Sequence, residues 1–195
     1  MSAKIPLDSN GICQLQQRIA EFEDEVAYKQ LFFHFFLPLK SFSFSIIKSK
    51  ETAEEIVSDI FLDIWIKRKQ LTAIEDLKMY LYTAVRNNSL RKLAQHKKIS
   101  FFSLDEVQVE FASPDDNAEA ILLTHELSHK IEVAIDQLPQ RCKLIFKLAK
   151  EDKLKYKEIA GLLHVSIKTI DSQVATALKK IASVLNISIK KSPSR

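Results

Sequence analysis

Glycine is nearly absent from this 195-residue chain, which contains two glycines and five prolines. Hairpins and tight strand connections rely on glycine for backbone conformations with positive φ, so the chain has few of the turns from which antiparallel sheets are built. Leucine, isoleucine, alanine, lysine and glutamate are abundant instead, as is typical of long helices. We therefore predict an all-α protein whose helices are joined by short loops.

Cysteine is equally rare. Cys13 and Cys142 lie far apart in the sequence and form neither a metal-ligand spacing nor a redox motif. The N-terminus lacks the basic, apolar and cleavage regions of a signal peptide. These features favour a reducing cytoplasm as the location, and we expect no metal and no cofactor.

A long uninterrupted run of apolar residues is also missing. The most apolar stretch, residues 31–47, holds six phenylalanines but is interrupted by His34, Pro38 and Lys40. A transmembrane helix needs about 20 predominantly apolar residues. We interpret this stretch as buried aromatic core and expect no stable membrane insertion.

Charge is distributed unevenly, although the net charge is only +4. Residues 86–98 contain five basic and no acidic residues, residues 99–138 one basic and nine acidic, and residues 139–195 thirteen basic and four acidic. A basic face is the electrostatic signature of phosphate binding. Two basic blocks around an acidic segment predict two contacts with a nucleic acid, although either block alone is also explained as a solvated helix face.

Two long helices are predicted in the first half of the chain. Apolar residues recur at helical spacing over residues 52–69, where Thr52 and Glu55 form the pattern of a capping box. Thr72 and Glu75 repeat that pattern before a second helix, which runs into the first basic block.

Helical periodicity is lost over residues 101–112, and a run of turn residues follows at 113–117. Further helices are predicted at 118–137 and 140–150, with Pro139 at the first turn of the latter. We therefore predict two small helical domains joined by an acidic linker. The predicted boundaries are a leader at 1–24, a first domain at 25–98, the linker at 99–117 and a second domain at 118–195.

The strongest local signal is a helix-turn-helix in the second domain. Ile159, Ala160 and Leu163 form the apolar face of its first helix, and Ser166 is placed to cap the second. The predicted inward-facing residues of the second helix are Ile170, Val174, Ala177, Leu178 and Ile181. Its opposite face is polar and suited to the major groove of DNA, although a plain helical hairpin would bury the same apolar stripe. The candidate DNA contacts there are Ser166, Lys168, Thr169, Ser172, Gln173, Thr176 and Lys179.

At these motifs the sequence resembles the extracytoplasmic-function sigma factors, a minimal group of the sigma-70 family of RNA polymerase subunits. The resemblance rests on residues 53–57 and 59–65 for region 2.2, 80–87 for regions 2.3 and 2.4, and 138–146, 156–160 and 166–170 for region 4. It implies a sigma factor that binds core RNA polymerase and directs promoter recognition and DNA melting. It also implies a non-enzymatic protein with an anti-sigma factor as a further partner.

The resemblance assigns roles to individual residues. Asn87 matches the position beside the pocket that captures a base flipped out of the melted minus-10 strand. The other candidates for minus-10 binding are Tyr82, as a base platform, and Arg86, Asn88, Arg91 and Lys92. The candidates for binding the clamp coiled coil of the polymerase are Glu55, Asp59, Leu62, Asp63 and Trp65. Trp65 is also explained as a core residue. The helix that begins after Ser166 would read the minus-35 element.

Five positions depart from the family pattern. His164 stands where the turn usually has glycine, and Lys155 replaces the common Ser or Thr cap. Asp171, Gln173 and Thr176 fall where relatives often carry Arg or Lys. These departures predict fewer phosphate and base contacts by the second helix of the motif.

Two alternative functions explain part of the sequence. Residues 125–129 spell the HExxH motif of zinc proteases, in which His125 and His129 would bind zinc and Glu126 would activate water. No strand signal that would hold a substrate precedes the motif. A helix-turn-helix regulator that does not bind polymerase explains residues 139–195 equally well, but it leaves the region 2 patterns as coincidences.

Overall fold

The structure, a computed structural model, describes residues 8–96 and 130–185. Within these two ranges all regular secondary structure is helical, which confirms the predicted all-α fold. The chain divides into two compact units, Met1–Phe101 and Phe102–Arg195. The linker predicted at 99–117 and the HExxH motif lie outside the described residues.

The first unit is built around one long central helix. Its described elements are α1 (Ser9–Phe22), α2 (Glu25–Ile47), α3 (Lys50–Ile66), a 3-10 turn (Arg68–Ala73) and α4 (Leu77–His96). α2 packs against both α3 and α4, while α1 lies against α2 and the 3-10 turn. By length and composition α2 could cross a membrane. However, one side of α2, with Leu31, Phe35, Leu39 and Phe42, is buried within the unit, whereas Phe33 is 62% exposed. The interpretation of this stretch as aromatic core therefore holds for one side of the helix.

α1 is part of the first unit. Leu15 and Ile19 are buried, and the side-chain amide of Gln16 donates to the carbonyl oxygens of Leu71 and Ile74, at 2.9 Å each. The expectation that residues 1–24 form a separate leader is therefore wrong for this helix. Its apolar face packs on a turn far along the chain, and local sequence does not reveal such a partner.

The two helices predicted in this unit, α3 and α4, begin at residues other than those predicted. Ser49, rather than Thr52, caps α3: its hydroxyl accepts a hydrogen bond from the Thr52 N–H at 3.1 Å. Asp76, rather than Thr72, caps α4 by accepting from the Met79 N–H at 2.9 Å. Thr52 lies inside α3 and Thr72 inside the 3-10 turn, so neither occupies the position just before the first helical residue that a cap requires.

The second unit comprises a helical segment at 130–136 (α5), α6 (Gln140–Lys150), α7 (Tyr156–Leu163) and α8 (Ile167–Val184), as far as it is described. The bounds of α6 agree with the prediction. α5, α6 and α8 share an apolar cluster formed by Ala134, Leu138, Cys142, Phe146, Ala177 and Ile181. The cluster holds α8 against the other helices and leaves its opposite face exposed.

α7 and α8 form the predicted helix-turn-helix, with Ile159, Ala160 and Leu163 buried as expected. The prediction for Leu178 is wrong, because 40% of this side chain is exposed. Ala177 lies on the buried stripe of α8, and the next residue is rotated by about 100° around a helix that has 3.6 residues per turn.

Candidate functional site

The outer face of α3 combines acidic and apolar residues. Glu55, Asp59, Leu62 and Ile66 are spaced so that they lie on one side of the helix, and all four are exposed. Leu62 is 56% exposed and Ile66 is 61% exposed. We call these four residues, with Asp63 and Trp65, the α3 face. Sequence reasoning missed Ile66, although it lies four residues after Leu62 and continues the same stripe.

Trp65 lies at the edge of the α3 face and is partly buried. Its ring centroid is 4.9 Å from that of Tyr28 on α2. The guanidinium carbon of Arg68 lies 5.1 Å from the Trp65 ring centroid, and Arg68 also ion-pairs with Glu23 at 2.6 Å. Trp65 is therefore neither a fully buried core residue nor a freely rotating surface residue.

The outer face of α4 carries polar and basic residues predicted to meet the minus-10 strand. Asn87 and Arg91 are exposed, while Arg86 and Asn88 are partly buried. Arg91 donates to the side-chain oxygen of Asn88 at 2.7 Å, and the Asn88 amide donates to the Ala84 carbonyl at 3.0 Å. Asn88 therefore orients the guanidinium of Arg91 through these hydrogen bonds. Arg86 is partly buried, and this burial lowers the pKa of its guanidinium.

Tyr82 does not lie on this face. It is 1% exposed, and its ring packs on Phe42 with a centroid distance of 5.3 Å. The prediction of Tyr82 as a base platform is therefore wrong. Tyr80 is 47% exposed and shares a side of α4 with Asn87 and Arg91, because the spacing is seven and then four residues. The heptad spacing from Asn87 was the signal that could have identified Tyr80.

One ion pair connects the α3 face with the basic surface of α4. The ammonium nitrogen Nζ of Lys92 lies 3.0 Å from Oε1 of Glu55. Lys92 was predicted to contact DNA and Glu55 to contact polymerase, and the structure brings the two together. While the pair is formed, Glu55 neutralises part of the positive charge that Lys92 would present to DNA. Lys92 likewise neutralises part of the negative charge that Glu55 would present to polymerase.

The turn of the helix-turn-helix is closed by backbone hydrogen bonds. His164 adopts the left-handed conformation, with φ 52° and ψ 48°, at the position where the family pattern usually has glycine. The Val165 N–H donates to the Ala160 carbonyl at 3.0 Å, as in a Schellman motif. The turn therefore has the geometry that the motif needs, although a non-glycine residue in this conformation is unfavourable.

The exposed face of α8 carries Lys168, Ser172, Thr176 and Lys179, whereas Gln173 is partly buried at its flank. The Thr176 hydroxyl donates to the Ser172 carbonyl at 2.9 Å. Lys168, Ser172 and Lys179 are therefore the best-placed candidate contacts on this face.

The first turn of α8 is stabilised by its own side chains. Ser166 accepts a hydrogen bond from the Thr169 N–H at 3.0 Å, as predicted for a cap, and the two side-chain hydroxyls are 2.8 Å apart.

Burial, together with the negative charge of Asp171, raises the pKa of the Tyr156 hydroxyl. Asp171 is exposed and places a negative charge on this helix; the expectation of fewer contacts with DNA phosphates stays a prediction.

Potential metal ligands do not cluster in residues 8–96 and 130–185: no group of three or more His, Cys, Asp or Glu there could hold an ion. Both cysteines are unpaired, Cys13 exposed and Cys142 buried.

Two family patterns match the chain, one in each unit. Residues 35–99 match the family described as Sigma-70 region 2, and residues 128–181 match the one described as Sigma-70, region 4. Together the two matches cover more than half of the chain, in the order that the sequence predicts.

Two proteins similar to this chain are described as sigma factors. The chain is 24% identical to the ECF RNA polymerase sigma factor RpoE of Cereibacter sphaeroides, over 86% of this chain and 91% of that protein. It is 26% identical to the RNA polymerase sigma factor SigV of Bacillus subtilis, over 70% of this chain and 78% of that protein.

A solved structure has a similar fold. It is that of the sigma factor RpoE from Bartonella quintana in complex with the anti-sigma factor NepR. The TM-score is 0.51 at 22% identity, covering 83% of this chain and 98% of that chain.

Proposed function

The chain belongs to the extracytoplasmic-function group of the sigma-70 family, and from this membership we propose which of its surfaces make each contact. As a sigma factor it binds core RNA polymerase and directs promoter recognition and DNA melting at initiation. The observation that carries this conclusion is the match of region 2 and region 4 patterns to separate compact units, in order.

We infer that the α3 face binds the polymerase. Leu62 and Ile66 expose apolar surface, and Asp59 and Asp63 add exposed negative charge on the same helix. Such a surface suits a partner helix that presents apolar and basic side chains, because apolar burial supplies affinity and charge complementarity orients the partner.

We infer that the outer face of α4 holds the melted minus-10 strand. Tyr80 offers an exposed ring on which a base can stack, and Asn87 offers an uncharged amide that can read a base edge. Arg91 supplies positive charge for phosphate. Tyr80 thus takes the role first predicted for Tyr82.

We infer that α8 reads the minus-35 element in the major groove. Its exposed Lys168, Ser172 and Lys179 present the donors and acceptors that such reading requires. Gln173, partly buried at the flank of this face, is proposed to add a base contact through its amide. The alternative of a regulator that does not bind polymerase explains only the second unit, whereas the region 2 pattern matches the first.

The sigma factor itself is proposed to be non-enzymatic, since the polymerase supplies the chemistry of transcription. Its place of action is then the cytoplasm, with the polymerase. The structural relative was solved with the anti-sigma factor NepR, and we propose that an anti-sigma factor also regulates this chain.

Co-elution with core polymerase tests the proposed contact. Asp59→Lys together with Asp63→Lys should abolish co-elution while helical content stays unchanged, because both carboxylates are exposed on the α3 face. The matched control is Glu21→Lys with Glu75→Lys, which changes charge equally at exposed positions elsewhere in the unit. Co-elution of the double variant at the control's level would refute the assignment.

A further inference from the structure

We propose that Arg68 is a positioning residue for polymerase binding, which holds the indole of Trp65 in the orientation that the polymerase meets. This inference rests on the proposed contact through the α3 face. It adds a residue outside the predicted binding set, whose effect is transmitted through Trp65.

Arg68 is attached to Trp65 in two ways. Its guanidinium carbon lies 5.1 Å from the centroid of the indole ring, a distance at which a cation interacts with an aromatic face. Its Nη1 also donates to the Trp65 carbonyl at 3.1 Å. The Nε atom of Arg68 is buried and has no hydrogen-bond partner among the described residues. The cation–ring contact with Trp65 therefore stabilises a guanidinium whose Nε–H makes no hydrogen bond there.

Glu23 fixes the other end of the guanidinium, since its Oε1 accepts from Nη2 of Arg68 at 2.6 Å. Glu23 lies in the turn between α1 and α2 and adopts the left-handed conformation, with φ 53° and ψ 35°. That conformation is unfavourable for a residue with a Cβ. In this conformation the Glu23 carboxylate lies within hydrogen-bond distance of Arg68. Because Arg68 also donates to the Trp65 carbonyl, it links the α1–α2 turn to the end of α3.

Tyr28 provides the second contact of the indole. Its ring centroid is 4.9 Å from that of Trp65, and its hydroxyl donates to the Phe61 carbonyl at 2.9 Å. Tyr28 is thereby tied to α3. With Tyr28 and Arg68 both anchored, the rotamers open to Trp65 in the free protein are restricted.

A restricted aromatic side chain beside exposed apolar residues is a favourable binding element. Leu62 and Ile66 flank Trp65 on α3 and are more than half exposed. Interface anchors are often aromatic, and a side chain that is already ordered loses less entropy on binding. The entropy cost of ordering one side chain on binding corresponds to about a two- to tenfold change in the dissociation constant. We therefore expect removal of Arg68 to weaken polymerase binding by about that factor.

The test compares Arg68→Met with Arg18→Met. Methionine retains an unbranched apolar side chain but removes the planar cation. Arg18 is a matched control, because it pairs with Asp24 at 2.7 Å in the same α1–α2 turn. Trp65 is the single tryptophan of the chain, so its emission and its quenching by acrylamide report on this site alone in the free protein. Affinity for core polymerase is measured by titration of the labelled protein, and stability by urea unfolding.

Arg68→Met should shift Trp65 emission to longer wavelength, increase quenching and weaken core binding about two- to tenfold. Arg18→Met should lower stability while leaving emission and affinity unchanged. Arg68→Lys, which keeps the charge but not the planar group, should restore only part of the affinity. If Arg68→Met is too unstable to measure, Glu23→Gln and Arg68→Lys provide the same readouts with smaller changes.

Three results would overturn the inference: unchanged Trp65 emission, unchanged core affinity despite altered emission, or equal loss of affinity in Arg18→Met. The last would show that general destabilisation explains the effect. These results are distinct from failure of the proposed function, which would appear as normal co-elution of the Asp59→Lys, Asp63→Lys variant.

Discussion

Removing the carboxylate of Glu55 should strengthen the binding of single-stranded DNA by the free protein, because it releases Lys92. The two groups are 3.0 Å apart and join α3 to α4. The ammonium group of Lys92 must leave Glu55, at least in part, before it can make a full contact with a phosphate. Polymerase binding at Glu55 would have the same effect, so the pair couples the two proposed surfaces.

The exposure of the pair limits the size of this effect. The side chain of Lys92 is 32% exposed and that of Glu55 is 53% exposed, so water screens their attraction. Exposed ion pairs contribute about 0.2–1 kcal/mol, which corresponds to about 1.4- to 5-fold in a dissociation constant. We therefore expect Glu55→Gln to tighten DNA binding within that range and to lower the free energy of unfolding by no more than about 1 kcal/mol.

Fluorescence anisotropy with a labelled minus-10 single strand measures the coupling in a double-mutant cycle. Glu55→Gln should tighten binding when Lys92 is present and have no effect in the Lys92→Met background. The gain should shrink as salt is raised, because ions screen partly exposed charges. Glu54→Gln is the matched control, since it removes the same charge one residue away on α3 and breaks a pair with Lys40 instead.

Equal tightening in both backgrounds would refute the coupling, as would equal tightening by Glu54→Gln. Either result would show that DNA responds to the loss of negative charge from α3 in general, without any special role of the pair.

Three further outcomes are expected. Asn87→Ala should reduce the permanganate reactivity of melted DNA on a base-paired promoter. This loss should depend little on salt, because the Asn87 amide is uncharged. Unchanged melting and base preference on base-paired and premelted templates would contradict a role of Asn87 in promoter opening. Gln173→Ala should relax selectivity at one or two bases of the minus-35 element, at a cost of about 1–3 kcal/mol for a bidentate contact, whereas equal weakening on every promoter would indicate a positioning contact. The Ala27 N–H and Arg18 hold the pKa of Asp24 below its usual value. Asp24 therefore stabilises the first unit above the ordinary carboxyl pKa of about 4, and this contribution is lost as the pH falls through the lower folded value. Asp24→Asn should remove that part of the pH dependence in acid unfolding, and an unchanged pH profile would contradict it.

Local sequence was sufficient for the features that depend on neighbouring residues. The shortage of glycine and the helical spacing of apolar residues predicted the all-α fold. The Ser166 cap and the bounds of α6 followed from the same reasoning, because capping and periodicity act over three or four residues. The family motifs also identified Asp59, Leu62 and Asp63 as candidates for polymerase binding; the structure has all three exposed on α3, and their role stays a prediction.

Tertiary structure alone decided which side of each helix is buried and which distant groups meet. Tyr80 and Tyr82 lie two residues apart in one helix, yet packing against α2 buries only Tyr82, because successive residues are rotated by about 100°. The Lys92–Glu55 and Arg68–Glu23 ion pairs likewise join segments that are distant in the sequence and that folding brings together. A sequence pattern specifies which residues share a helix face, but the rotation of that helix in the core depends on side chains contributed by the rest of the unit.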